Sequence, residues 1–255
     1  MGNAFVGVVG DTHNIYFNPA GLASCPSPEV SAVYSPQEFD QTAGSFEGVF
    51  PFGTRGTVGV GVQYQTVEKI ALRSGEFAIP SNTSSSNSRI SIAYARGWGP
   101  YSVGVALKSL DQTFSGIDDK GHGWSLDMGT VYSWERLKWG MSLQNLAGDF
   151  RWSTGRKEPV SLIVKTGVSY LVFPWLLTAL DVEGGDGSSL LIHGGVEAQY
   201  REAFFRAGMK DEHPTLGIGL GFHPVFKLRL RFDYGLEFDP SGLNDVHQFG
   251  LSALF

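Results

Sequence analysis

Cysteine is nearly absent: Cys25 stands alone in 255 residues, so no intramolecular disulfide can staple the fold. Charge is scarce as well, at 17% of the chain, and a net charge of −6 argues against a nucleic-acid partner. Nowhere does an apolar run reach the ~18 residues of a helical membrane span. That excludes this class but leaves open a barrel, whose apolar face is carried by alternate residues. A secretory leader is missing too. Leu22-Ala23-Ser24-Cys25 fits a lipoprotein cleavage box superficially, but no basic segment and no continuous apolar core precede it. The chain therefore reads as a mature or truncated form, or as one whose Met1 is an internal methionine.

Glycine is abundant at 34 residues, aromatics reach 13% and mean hydropathy is −0.05, a mixture expected where apolar and polar residues alternate. The stretch His247–Phe255 shows that alternation directly. Phe249, Leu251, Ala253 and Phe255 point one way and Gln248, Gly250 and Ser252 the other, with Leu254 the exception. An alternating strand that ends on an aromatic suits a membrane interface. Gln248, Gly250, Ala253 and Phe255 also resemble the polar-x-Gly-x-x-apolar-x-aromatic signal through which outer-membrane barrels are passed to the barrel assembly machinery.

Residues 1–28 lack sustained alternation and carry Gly, Asn, Asp and Pro turn signals, so a compact non-barrel segment is expected there. Residues 29–255 break into roughly fourteen alternating segments bounded by turn residues, the even number of a bacterial barrel. They are expected to start near Val30, Phe46, Val58, Ile90, Tyr101, Trp124, Leu137, Leu162, Leu176, Leu190, Phe205, Ile218, Phe226 and Phe249. Tight connections, such as Gly97 to Pro100, Trp134 to Arg136 and His223 to Pro224, alternate with longer ones, such as Thr66 to Ser88 and Glu237 to Asp245. The fold predicted is an all-β transmembrane antiparallel barrel.

Charge decides which face meets lipid, since Lys or Arg on the lipid side costs about 2 to 4 kcal/mol near the midplane. In Phe226–Leu236 the even positions Phe226, Leu228, Leu230, Phe232 and Tyr234 alternate with Lys227, Arg229, Arg231 and Asp233, which must look inward. The same test places Glu47, Lys108, Asp127, Lys138, Lys165, Asp181, Glu197 and Arg206 in the lumen. Val58, Val60, Val62 and Tyr64, with Val103, Val105 and Leu107, face outward, and Trp124, Trp139, Tyr170, Trp175, Tyr200 and Tyr234 fall where an aromatic girdle would.

Three stretches resemble a known family. Gly2-Asn3-Ala4-Phe5, then Asp11 through Tyr16-Phe17, then Asn18-Pro19-Ala20-Gly21-Leu22-Ala23 are similar to the N-terminal hatch of fatty-acid-transporter-like (FadL-like) outer-membrane barrels, especially the PorV/PorQ branch. Ser142-Leu143-Gln144-Asn145-Leu146-Ala147 resembles a strand ending in Q-N-L-G in that branch, with Ala147 in place of glycine, and Asn244 through Phe255 resembles its closing loop and strand. The resemblance implies residence in the bacterial outer membrane, among its lipids. It also implies a hatch built on Asn18, Pro19, Ala20 and Gly21 that blocks the lumen.

No catalytic constellation stands out, so no enzyme is expected, and no cofactor. His193 and Glu197 share a lumenal face four residues apart, whereas a barrel-wall hydrolase needs its nucleophile on the lipid side or rim, and the remaining histidines lack metal-ligand spacing. The lumen charges are nearly balanced and read first as a salt-bridge network. The local excess Lys227, Arg229 and Arg231 is the candidate site for an anionic ligand group. Two functions follow from the resemblance: passive transport of small hydrophobic compounds with sideways release through a wall opening, or a type IX secretion component that holds a secreted cargo protein or partner at its extracellular rim. A strand interruption or bulge beside the hatch would favour the first.

Overall fold

The structure is a computed structural model that describes residues 1–72, 81–116, 119–186, 189–225, 228–240, 242 and 245–255. Valine and aromatic residues at alternate positions favour the pleated, half-lipid-facing strand, and the strands are β1 Glu29–Gln37, β2 Gln41–Pro51, β3 Thr57–Leu72, β4 Ser81–Trp98, β5 Tyr101–Phe114, β6 Asp119–Trp134, β7 Leu137–Trp152, β8 Ile163–Phe173, β9 Leu176–Gly185, β10 Leu191–Tyr200, β11 Ala203–Lys210, β12 His213–Val225, β13 Leu228–Glu237 and β14 Val246–Leu254. Each pairs antiparallel with its sequence neighbours, and β1 pairs with β14 from Glu29↔Leu254 to Tyr34↔Phe249, closing a 14-strand barrel. Closure leaves no edge strand, the condition for a sheet to cross lipid.

Exposure separates the faces along each strand. Ile92 is 60% exposed while its neighbours Ser91 and Ala93 are 0% and 1% exposed. Outside lies a belt of Phe46, Val60, Val62, Ile90, Leu107, Val168, Leu180, Ile218 and Leu251; inside lie Glu47, Lys108, Asp127 and Asp181. Apolar outside and ionised inside inverts a soluble barrel and makes this a transmembrane one. No helix among the described residues is long and apolar enough to cross a membrane.

Several strands start earlier than alternation indicates: β2 at Gln41 rather than Phe46, β4 at Ser81 rather than Ile90, β6 at Asp119 rather than Trp124 and β12 at His213 rather than Ile218. These extensions are mostly polar on both faces, with Leu216 of β12 an exposed exception. The β3–β4 ladder, for example, continues through Tyr64↔Ser88, Gln65↔Asn87 and Thr66↔Ser86. Beyond the lipid band nothing requires an apolar face, so hydrogen bonding persists where the period vanishes. The turn expected at His223 to Pro224 is also displaced, because β12 runs through both to Val225 after a register shift. Phe226 and Lys227 lie outside the described residues. At the same end of the barrel, two-residue turns between β4 and β5, β6 and β7, and β10 and β11 use left-handed backbone at Gly99 (φ 57°), Glu135 (φ 50°) and Arg201 (φ 53°), the twist that tight hairpins demand.

The N-terminal segment is not merely turns. It holds one helical turn, α1 Asn14–Phe17, and a 3₁₀ helix, Pro19–Ser24. Asn18 caps the second, its side chain accepting from the Ala20 N–H at 3.2 Å, and Pro19 occupies the first helical position, where no N–H is needed. Ile15, Leu22 and Cys25 pack inside the barrel against Val49, Ala93, Ala95 and Ala106. The wall residues are small because a helix lies on them.

Candidate functional site

Polar side chains of the wall seize the backbone of the N-terminal segment. Asp181 Oδ2 accepts the Phe5 and Val6 N–H groups at 2.6 and 2.7 Å, and Ser169 Oγ donates to Gly7 O at 2.8 Å. Gln144 Nε2 donates to Tyr16 O at 2.6 Å and Phe17 O at 3.2 Å. A chain of hydroxyls, Thr12 Oγ1 to Ser31 Oγ at 2.8 Å and Ser31 Oγ to Glu47 Oε2 at 2.8 Å, ties the other side. Asn18 is fully buried and bridges segment and wall, donating to Val6 O at 2.9 Å and to Thr130 O at 3.1 Å. It fits because Gly129 and Gly140 flank it: a Cβ on Gly129 would strike Asn18 Oδ1, and one on Gly140 would strike Val6 O. Pro19 and Ala20 press in the same way on Gly104.

Within the segment, Asp11 Oδ1 accepts from the His13 backbone N–H at 2.9 Å and meets its Nδ1 at 2.7 Å, and Arg231 Nη2 approaches Asp11 Oδ2 at 3.7 Å. Burial alone would lower the histidine, but the Asp11 charge and hydrogen bond, with Glu47 beyond, raise His13 to about 9. Burial likewise opposes ionisation of Asp11, yet His13 and Arg231 hold its carboxyl well below the usual range. The Cys25 thiol is pushed up to about 12 by burial and by the charges of Asp11 and Glu29, which keeps it an inert packing group.

The other candidate residues are placed as follows. Arg229 pairs with Glu202 at 3.0 Å, and Arg231 with Asp233 at 2.8 Å as well as with Asp11, while Lys227 lies outside the described residues. Arg206 joins Glu197 and Asp233, each at 2.5 Å, and Arg206, Arg229 and Arg231 all lie within 6 Å of the Phe204 ring, at 5.5, 5.9 and 5.7 Å. The arginines that sequence reasoning singled out thus already have carboxylate partners. Gln248 and Gly250 face the lumen on β14, whereas Phe255 is exposed. A cavity of about 460 Å³ lies between the N-terminal segment and this charged wall, with Phe5, Val8, Val9, Phe17, Val33 and Leu177 as its apolar lining.

Beside the segment the wall itself is interrupted. The β7–β8 ladder ends at Gln144↔Ile163, and further along β7 that side pairs only with the short stretch Lys157–Glu158, at Phe150 and Arg151. Toward β6 the register jumps from Leu126↔Ala147 to Met128↔Leu143, so Gln144, Asn145 and Leu146 stand opposite Asp127 alone. Asn145 adopts φ 59°, its N–H donates to Asp127 Oδ1 at 2.8 Å and its Nδ2 to Ser161 O at 2.9 Å. Lys108, buried with Asp127, meets Asp127 Oδ1 at 2.7 Å and Asn145 Oδ1 at 2.8 Å. The Gln144-Asn145-Leu146 stretch, noticed in the sequence as a family-like motif, is a bulge of three residues opposite Asp127, at the point where the β7–β8 ladder ends.

No protein-family model and no curated protein matches the chain. Solved structures do. The Pseudomonas putida toluene transporter TodX is similar over 99% of this chain and 94% of its own, at 10% identity and TM-score 0.68. A FadL homologue of Pseudomonas aeruginosa is similar over 99% and 95%, at 10% identity and TM-score 0.68. The CymD monoaromatic hydrocarbon channel is similar over 99% and 93%, at 13% identity and TM-score 0.65. At such identities the likeness establishes the fold: this chain has the barrel architecture of FadL-type channels.

Proposed function

We propose that the protein is a passive outer-membrane channel for small hydrophobic compounds, not an enzyme. Its N-terminal segment, residues 1–28, acts as a hatch across the lumen, and cargo leaves sideways through the wall. The observation that carries this reading is the break between β7 and β8, which lies beside the segment and is joined to it by Gln144. Leu146 and Val164, both exposed, flank the break and bring the lipid-facing belt up to it. An apolar solute passing from the Phe5–Phe17 cavity through such an opening enters the bilayer without crossing the polar end of the barrel. Similar structures described as hydrocarbon channels support the same reading. Nothing observed favours the PorV/PorQ branch or a type IX secretion role.

The test is uptake of labelled toluene by a Gram-negative host expressing the barrel. Wild-type protein should raise uptake above the empty host, and Leu162→Trp, which places a bulky ring at the break, should reduce it severalfold without changing barrel yield or gel mobility. Uptake equal to the empty host would end the proposal. Uptake unchanged by Leu162→Trp would remove the lateral route.

A further inference from the structure

The lumen holds a second chamber whose chemistry does not suit an apolar compound. Strand register sets Gln65, Asn87 and Gln112 side by side on β3, β4 and β5, and one lumenal step deeper sets Gln63 beside Arg89. With Ser35, Ser45 and Gln248 these line a cavity of about 450 Å³ toward the long-loop end, within the size range of small-molecule sites. It adjoins the first cavity at Val33 and Gln248. Deeper still, Tyr16 packs on Gly61. On the opposite side the Phe150 ring lies across the backbone of Gly121 and Gly123, backed edge-on by Trp152 at 5.3 Å.

Arg89 differs from the lumenal cations around it. Lys108, Lys165, Arg206 and Arg231 each have a carboxylate partner. Among the described residues Arg89 has none, and its Nη1 donates only to the neutral Gln63 Oε1, at 3.2 Å. Asp111, at the chamber rim, is engaged by His122 Nδ1 at 2.7 Å. The side chains of Gln65, Asn87, Gln112 and Gln248 likewise have no protein hydrogen-bond partner among the described residues.

We infer that this chamber binds a hydroxylated carboxylate of sugar-acid type. A primary amide offers a donor and an acceptor in one plane, the pair a vicinal diol requires, and a guanidinium matches a carboxylate with two parallel bonds. An aromatic face receives the C–H side of a sugar ring. The chamber presents all three, and an apolar solute would strip water from the amides without replacing it. The wall separates the chamber from the lipid, so the ligand is a solute. This inference is independent of which apolar cargo, if any, crosses the barrel.

The experiment is calorimetric titration of the detergent-solubilised full chain with D-glucuronate, D-glucose and benzoate as probes. Glucuronate should bind saturably and at least about tenfold more tightly than either glucose, which lacks the carboxylate, or benzoate, which lacks the hydroxyls. Arg89→Gln should weaken glucuronate about ten- to hundredfold, and Arg89→Lys should restore part of that loss. Asn87→Leu should weaken both sugars. Heat-dependent gel mobility verifies that each variant is folded, and Asn87→Leu leaves the cation in place should Arg89→Gln misfold. Absence of saturable glucuronate binding, benzoate binding as tight as glucuronate, or affinity unchanged in Arg89→Gln would each overturn the inference.

Discussion

His13 shows how one residue can make docking of the N-terminal segment depend on pH. Its value in the fold, about 9, lies above the ordinary 6.5, because Asp11 at 2.7 Å outweighs the effect of burial. A raised cationic group stabilises the docked state fully below its unfolded value and loses that contribution as pH climbs through the folded value. Between pH 6.5 and about 9 the segment should therefore lose about 3 kcal/mol of docking stability. Hydrogen exchange of the 11–18 amides, corrected for intrinsic rates, should accelerate over that window in the wild type. In His13→Gln it should already be fast at pH 6 and show no step. A wild-type profile without a step would refute this role for the His13–Asp11 pair.

At the scale of the element, β7 departs furthest from regular structure. Its pairing fails on both sides around Gln144-Asn145-Leu146, and what replaces the missing ladder is side-chain chemistry centred on Lys108, Asp127 and Asn145. Removing one partner of a buried ion pair leaves an uncompensated charge, so Lys108→Met should lower unfolding stability by about 3 to 5 kcal/mol. Replacing both, Lys108→Met with Asp127→Leu, should recover a large part of this, although the Asn145 N–H then loses its acceptor. Urea titration of the barrel refolded into vesicles compares both variants with the wild type. A double variant as unstable as Lys108→Met would show that the pair is not the source of the loss. The sequence pointed to this stretch as a motif, but a bulge has no signature in alternation beyond a short loss of phase.

For the molecule as a whole, the governing fact is that lipid and water have exchanged places relative to a soluble barrel. A lysine on the lipid face near mid-membrane, as in Leu107→Lys, should cost about 2 to 4 kcal/mol, whereas Gln65→Lys in the wet lumen should cost less than about 1 kcal/mol. Folding free energies in vesicles would compare them, and equal costs would contradict the assigned faces. The same logic explains why faces were readable in advance. Glu47, Lys108, Asp127 and Asp181 were expected inside from charge alone, and they are among the most buried side chains of the protein. Strand ends were less legible, because outside the lipid band polar residues on both faces erase the pattern while backbone hydrogen bonds continue.

From the sequence alone, then, follow the closed transmembrane barrel, its strand number and the inward face of each charged strand. Each of these rests on a local pattern with a period of two and on a solvation cost that a single residue carries. Which lumenal groups meet was decided only by tertiary structure. A slip of two residues between neighbouring strands preserves every inward and outward assignment while changing every neighbour. Only the realised register sets Asn87 between Gln65 and Gln112, leaves Arg89 without a carboxylate among the described residues and ends the β7–β8 ladder at Gln144. The contact of Arg231 with Asp11, from opposite ends of the chain, exists because closure brings β13 near the segment lodged inside.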